Sequence, residues 1–245
     1  MKPTFEHVDC KHCNTRFQSV FCKSENDIVA EIDAEKICST FKKGETIFKE
    51  GSYASGVYCI NAGTRWSYSN VFQKLMEVVS AASTQNFETY FNENLKNKIG
   101  MQGFWNFGLI YKIYHSNTRS MARFGLLALN HGTWKKEQVI DKNYFNASIQ
   151  SSQSINPSYG YLWWLNGKTK YMVPGSQMVF THALVPSAPL DMYAALGASD
   201  QKIYVVPSKK MVIVRMGDAA DPSHPTFAAS GFDNDLWEKI NAIIQ

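Results

Sequence analysis

The spacing of apolar positions divides the chain into three textures. In "FKKGETIFKEGSYASGVYCINAG" (41–63), glycines at 44, 51, 56 and 63 punctuate β-prone runs such as Thr46-Ile47-Phe48 and Val57-Tyr58-Cys59-Ile60. Short strands joined by tight turns, the texture of a β-roll or barrel, are predicted there. After Gly63 the period lengthens. Phe72, Leu75, Met76 and Val79 share one helical face. A second helix is expected over about 86–97 with Phe87, Tyr90, Phe91 and Leu95 inward, and a third over about 119–130 with Met121, Phe124, Leu127 and Ala128 inward. Strand signals then take over. "YGYLWWL" (159–165) is aromatic and strand-like, and alternation would turn Trp163 and Trp164 to opposite faces. "KIYVV" (202–206) and "MVIVR" (211–215) flank "PSKK" as a hairpin. A last amphipathic helix places Phe232, Leu236, Ile240 and Ile243 on one stripe.

Composition narrows the class. The 245 residues are 44% apolar and 19% charged, as in an ordinary globular protein, and suffice for one large domain or a small one plus a medium one. The net charge of +4 is uneven: residues 1–63 hold eight Lys/Arg against nine Asp/Glu. Neither part clusters its cations as a nucleic-acid surface does, so no nucleic-acid partner is expected. No apolar run approaches the ~20 residues of a membrane helix. "MKPTFEHVDCKHC" has no secretory-signal texture, so a cytoplasmic location without membrane contact is expected. All five cysteines lie in the first quarter, and an odd count argues against a disulfide framework. Cys10, Cys13 and Cys22, with His12 among them, could grip zinc or an iron–sulfur cluster, but a fourth ligand is not evident. Reduced thiols are the plainer reading, and no metal or cofactor is assigned.

Two resemblances organise these textures. Residues 1–63 resemble the N-terminus of Crp/Fnr-type regulators, on "CKHC", Ser19-Val20-Phe21-Cys22, "FKKGETIFKEG" and "GVYCINAG". The resemblance implies the opening of a cyclic-nucleotide-binding β-roll. The Gly-Glu pair and later Arg of its phosphate cassette are not found, nor is a helix-turn-helix. Residues 64–245 resemble the later part of a serine β-lactamase-related hydrolase of the class C-like group, which includes esterases, D-aminopeptidases and 6-aminohexanoate-oligomer hydrolases. The carriers are "GTRWSYSN" (63–70), "NKIGM" (97–101), "SMARFGLLALNHGTW" (120–134), "YGYLWW" (159–164) and "YAALGASDQKIYVVPSKKMVIVRMG" (193–217). The fold class implied is α+β: an incomplete β-lactamase/penicillin-binding-protein-like domain of mixed helices and antiparallel sheet, preceded by a small β-roll fragment. The boundary falls near Gly63, and the hydrolase domain is expected to lack its N-terminal part.

That family needs a Ser-x-x-Lys nucleophile turn, a Tyr-x-Asn loop, and a strand whose backbone N–H binds the oxyanion. The resemblance assigns Tyr68 and Asn70 to the loop. Tyr-x-Asn recurs at 90–92 and 144–146, so the setting of Tyr68 carries the assignment. To act as a base near neutral pH its phenol needs a neighbouring cation. Gly197, Ala198 and Ser199 occupy the third place, with Gly197 allowing close backbone approach. His182, after a strand-like run, is a candidate pocket residue; His115, His131 and His224 lack metal-ligand spacing. "KTK" at 168–170 reads as a hairpin turn. Ser-x-x-Lys occurs at Ser39/Lys42 and at Ser199/Lys202. The second enters a strand. The first precedes Tyr68 in the right order, but within the β-roll pattern. The expectation is therefore a serine hydrolase by descent, acting on a small-molecule amide or ester, with impaired or absent catalysis. The alternatives are a non-catalytic binding or regulator-like fusion, or a truncated chimeric product.

Overall fold

The computed structural model describes Trp66, Tyr68, residues 71–108, 112–223 and 228–244. The chain divides into two units, Met1–Thr64 and Arg65–Gln245, and all described residues belong to the second. The β-roll prediction, the cysteines, Ser39, Lys42, Asn70 and His224 lie outside the described residues.

Helix α1 spans Val71–Ser83. Helix α2, Phe87–Phe91, is capped by Asn86, whose side chain accepts from the Glu88 N–H. It continues through a π-helical turn, Asn92–Lys96, into α3, Asn97–Ile99, which Gly100 ends in the left-handed region. Ile99 is buried here, whereas Tyr90, expected inward, is exposed. Phe87 and Phe91 take the inward side instead, both edge-on to Trp105 at 5.1 and 5.3 Å between ring centroids. Strands β1 (Gly103–Phe107) and β2 (Lys112–Ser116) form an antiparallel hairpin. Helix α4 (Thr118–Leu129), capped by Asn117, leads to the small hairpin of β3 (Thr133–Trp134) and β4 (Glu137–Gln138), and then to α5 (Lys142–Ser148).

The central sheet is antiparallel throughout, in the order β5 (Trp164–Leu165), β6 (Tyr193–Leu196), β7 (Lys202–Val206), β8 (Met211–Arg215). Every residue of β7 is buried, which requires cover on both faces. Alternation sorts the sheet's side chains accordingly. Leu165, Tyr193, Ile203 and Val205 join Trp163 with Ala128 of α4 and Phe145 of α5. Trp164, Ala194, Leu196, Tyr204 and Val206 join Trp66, Met172, Val185, Met192 and Trp237 on the other side. The latter face is covered by α6 (Gly231–Asn241), whose Trp237 meets Tyr204 edge-on at 5.8 Å between ring centroids.

Three sequence expectations are corrected. The run 159–165 contributes only Trp164–Leu165 to the sheet, because Leu162 at φ 63° reverses the chain so that Tyr159 pairs with Trp164. In α6 the buried positions are Asp233 and Trp237, while Ile243 is 82% exposed. The apolar stripe does not include Asp233, although a partnered carboxylate can be buried. Lys168–Lys170 form an irregular bend after Gly167 rather than a hairpin turn.

Candidate active site

The half-buried Tyr68 ring is enclosed by aromatic neighbours. Its centroid lies 6.2 Å from Trp66, 5.9 Å from Tyr159 and 6.4 Å from Trp164. Trp164 is placed by β5, and Tyr159 packs edge-on against it at 4.9 Å. Trp163 faces the opposite side and stacks on Phe124 at 6.1 Å, as alternation required. Burial raises the Tyr68 pKa, and a hydrogen bond from the Tyr159 hydroxyl opposes this only in part. Tyr159 is raised more, by its own burial and then by the charge that Tyr68 would carry. The pair therefore holds its protons. It can donate and accept hydrogen bonds, but at neutral pH it does not supply a phenolate.

The Gly197–Gln201 segment joins β6 to β7. Gly197 N–H donates to Gln201 O at 2.8 Å, and Gln201 N–H to Ala198 O at 3.3 Å. Ser199 and Asp200 sit at φ 53° and 57°, the geometry of a type I′ hairpin turn. A Cβ on Gly197 would meet Gln201 no closer than 3.4 Å, so close approach does not require glycine there. Ser199 is held through its carbonyl by the Arg215 guanidinium.

Beneath this turn lies a buried ionic network that periodicity did not reveal. Lys202 Nζ donates to Ala228 O at 2.6 Å and lies 3.2 Å from Asp233 Oδ2 and 3.3 Å from Asp200 Oδ1. Asp233 also accepts from Tyr204 OH at 2.6 Å and Ser230 N–H at 2.7 Å. Asp200 accepts from Ser230 Oγ and Ala220 N–H, each at 3.0 Å. Burial pushes Asp200 up, but the Ala220 N–H, the Ser230 hydroxyl and the Lys202 ammonium outweigh it and hold the carboxyl below its usual range. Tyr204 is pushed well above the ordinary phenol range by burial and then by the Asp233 charge. The three Lys202 donors are taken up by one carbonyl and two carboxylates, so Ser199/Lys202 does not form a nucleophile pair. One signal for the network was in the sequence: Ser230-x-x-Asp233 opens α6 as a capping box.

His182 is exposed, with Nδ1 2.8 Å from Ala183 O. Its ring meets Tyr171 at 5.3 Å and Phe180 at 6.2 Å, rather than Tyr68. The cavities among the described residues include two. One of about 640 Å³ is lined by Leu126, Asn130, Thr133, Trp134, Lys135 and Lys136. The other, of about 330 Å³, lies between α1, α2 and the β1–β2 hairpin. Neither includes a candidate site residue. No group of His, Cys, Asp and Glu able to hold a metal occurs among the described residues.

No family model matches the chain, and no curated protein matches it. Its three-dimensional form is similar to two solved structures. One, a proposed 6-aminohexanoate-dimer hydrolase from Bacillus anthracis, has a TM-score of 0.54 at 21% identity over 74% of this chain and 44% of that one. The other, a proposed β-lactamase from Bacteroides dorei DSM 17855, has a TM-score of 0.51 at 13% identity over 77% of this chain and 60% of that one. The chain thus matches less than two thirds of the length of either. At these identities the likeness is one of fold. The described residues have a β-lactamase-like fold, with mixed helices and an antiparallel sheet.

Proposed function

We propose that this chain carries a β-lactamase-related serine hydrolase fold that receives small amide or ester ligands and does not turn them over. The observation that carries the reading is the likeness in fold to the two solved hydrolase structures. Two features support the loss of turnover. Tyr68 is shifted away from the low pKa a catalytic base needs. Lys202, the one Ser-x-x-Lys lysine among the described residues, is fully engaged with Ala228, Asp200 and Asp233. In this reading Tyr68 and Asn70 bind the ligand's polar group, and Gly197, Ala198, Ser199 and His182 line its approach.

Intact-mass spectrometry after incubation with a fluorophosphonate and, separately, a penicillin tests the proposal. Unmodified protein in both is expected. A stoichiometric adduct on any serine, Ser39 included, would show a working nucleophile and overturn it.

A further inference from the structure

The cavity of about 640 Å³ lies between the C-terminal end of α4 and the turn of the β3–β4 hairpin. Backbone bonds hold its walls. Gly132 N–H donates to Leu127 O at 2.9 Å, and Thr133 N–H to Asn130 O at 3.0 Å. Gly132 O accepts from Val139 N–H at 2.9 Å and from Ile140 N–H at 3.1 Å. Gln138 Nε2 donates to His131 O at 2.9 Å. The hairpin is thus tied to the end of α4, and the hollow between them is formed before a ligand arrives.

The lining sorts by chemistry. Leu126, 42% exposed, supplies an apolar side chain from α4. The half-buried Trp134 supplies a second and packs against the cluster of Ile99, Met101 and Leu127. The uncharged polar groups are already used. Asn130 Nδ2 donates to Leu126 O at 2.8 Å, which covers part of the negative end of α4. Thr133 Oγ1 donates to Gln138 Oε1 at 3.0 Å. What remains is positive charge. Lys135 and Lys136 line the cavity, and no carboxylate among the described residues does. Neither lysine has an ion pair or a side-chain hydrogen bond among the described residues. Glu137, the next residue, is held by Lys98 at 2.7 Å. Both lysines also stand in the left-handed region, at φ 46° and 74°, in the two-residue turn that pairs Trp134 with Glu137. Asn-Gly relaxes such a turn, whereas lysine strains it. Strain of this kind clusters at ligand sites.

We propose that this cavity binds an organic anion, a carboxylate carried on an apolar body. Leu126 and Trp134 lie against the body, and Lys135 and Lys136 meet the carboxylate. Two cations without a competing carboxylate select the charge. The apolar walls favour an anion with an apolar body over a bare inorganic one. The site shares no residue with the proposed amide or ester site, so it stands whether or not Tyr68 binds a ligand.

Equilibrium dialysis of the full chain against 2-naphthoate at low ionic strength tests it, with neutral 2-naphthol in parallel. Saturable uptake of one naphthoate per chain is expected, and naphthol should bind about tenfold more weakly. In Lys135→Asn/Lys136→Gly the naphthoate dissociation constant should rise about tenfold, as the loss of two partly exposed ion pairs implies. The thermal midpoint of the same variant should rise, because its turn is relaxed. Lys210→Gly removes a lysine at φ 49° in the β7–β8 turn, which does not line the cavity, and should leave binding unchanged. No saturable uptake, equal binding of naphthol, or parental affinity in the double variant would overturn the site. So would an equal loss in Lys210→Gly, because that reports general charge attraction.

Discussion

Gly125 sits where α4 crosses the sheet, and a Cβ there would lie well inside contact distance of the Val212 Cγ1 and against Ile203. Gly125→Ala adds about 1 kcal/mol of helix propensity but overpacks a stiff β-branched neighbour, at a cost of about 1–3 kcal/mol. A net loss of about 1 kcal/mol in urea denaturation is expected, recovered in part when Val212→Ala is added. Lys202 presents the opposite situation, a residue whose removal leaves charges stranded. Lys202→Met would bury Asp200 and Asp233 without their cation and should cost about 3–5 kcal/mol. If the variant is instead as stable as the parent, the ion pairs at 3.2 and 3.3 Å contribute less than their burial implies. Legibility at this scale was poor where polarity misleads. Nothing local marks Asp233 and Lys202 as buried, and only the partners brought by folding make their burial tolerable. Trp163 and Trp164 were legible because alternation is a backbone property.

The β6–β7 turn and the α6 cap work together at the next scale. Ser199 and Asp200 occupy left-handed positions that favour Gly and Asn. Ser199→Gly should therefore stabilise by a few tenths to about 1 kcal/mol, because the side chain strains the turn while its carbonyl makes the bond to Arg215. Ser230 both caps α6 and donates to Asp200. Ser230→Ala should cost at the upper end of the ~0.5–2 kcal/mol typical of caps, because Asp200 also loses a partner. Thermal melts of the two variants should move in opposite directions. The β7–β8 hairpin, α1 and α4 were legible in the sequence because a single period and clear breakers marked each. The extent of the α2–α3 stretch was legible too, but its inward stripe only in part, since Tyr90 is exposed.

For the whole molecule, the sheet covered on both faces and the solved structures it resembles agree with the mixed helix and antiparallel-sheet class read from the sequence. No helix among the described residues is long and apolar enough to cross a membrane. Stability should be bounded by ionisation at both ends of the pH scale. Asp200 has a lowered folded pKa, so its contribution is present above the unfolded value of about 3.9 and is lost as pH falls below it. Tyr159, Tyr193 and Tyr204 have raised folded pKa values. Their contribution is complete below the unfolded value of about 10 and is lost as pH rises above it. Chemical denaturation across pH should therefore give a plateau that falls below about pH 4 and above about pH 10. The candidate site was legible only in part. "GTRWSYSN" marked the Tyr68 loop, but the aromatic enclosure comes from Tyr159 and Trp164, about 90 residues away in sequence, which no local pattern links to it.

The central claim is that burial keeps Tyr68 protonated, which leaves the proposed ligand site without a working base. Tyrosine labelled with ¹³C at Cζ, titrated by NMR and assigned with Tyr68→Phe, tests it most directly. The account predicts a Tyr68 titration centred above the ordinary phenol value of about 10. A Tyr68 titration centred near neutral pH would contradict it, since the phenol would then be activated as catalysis requires.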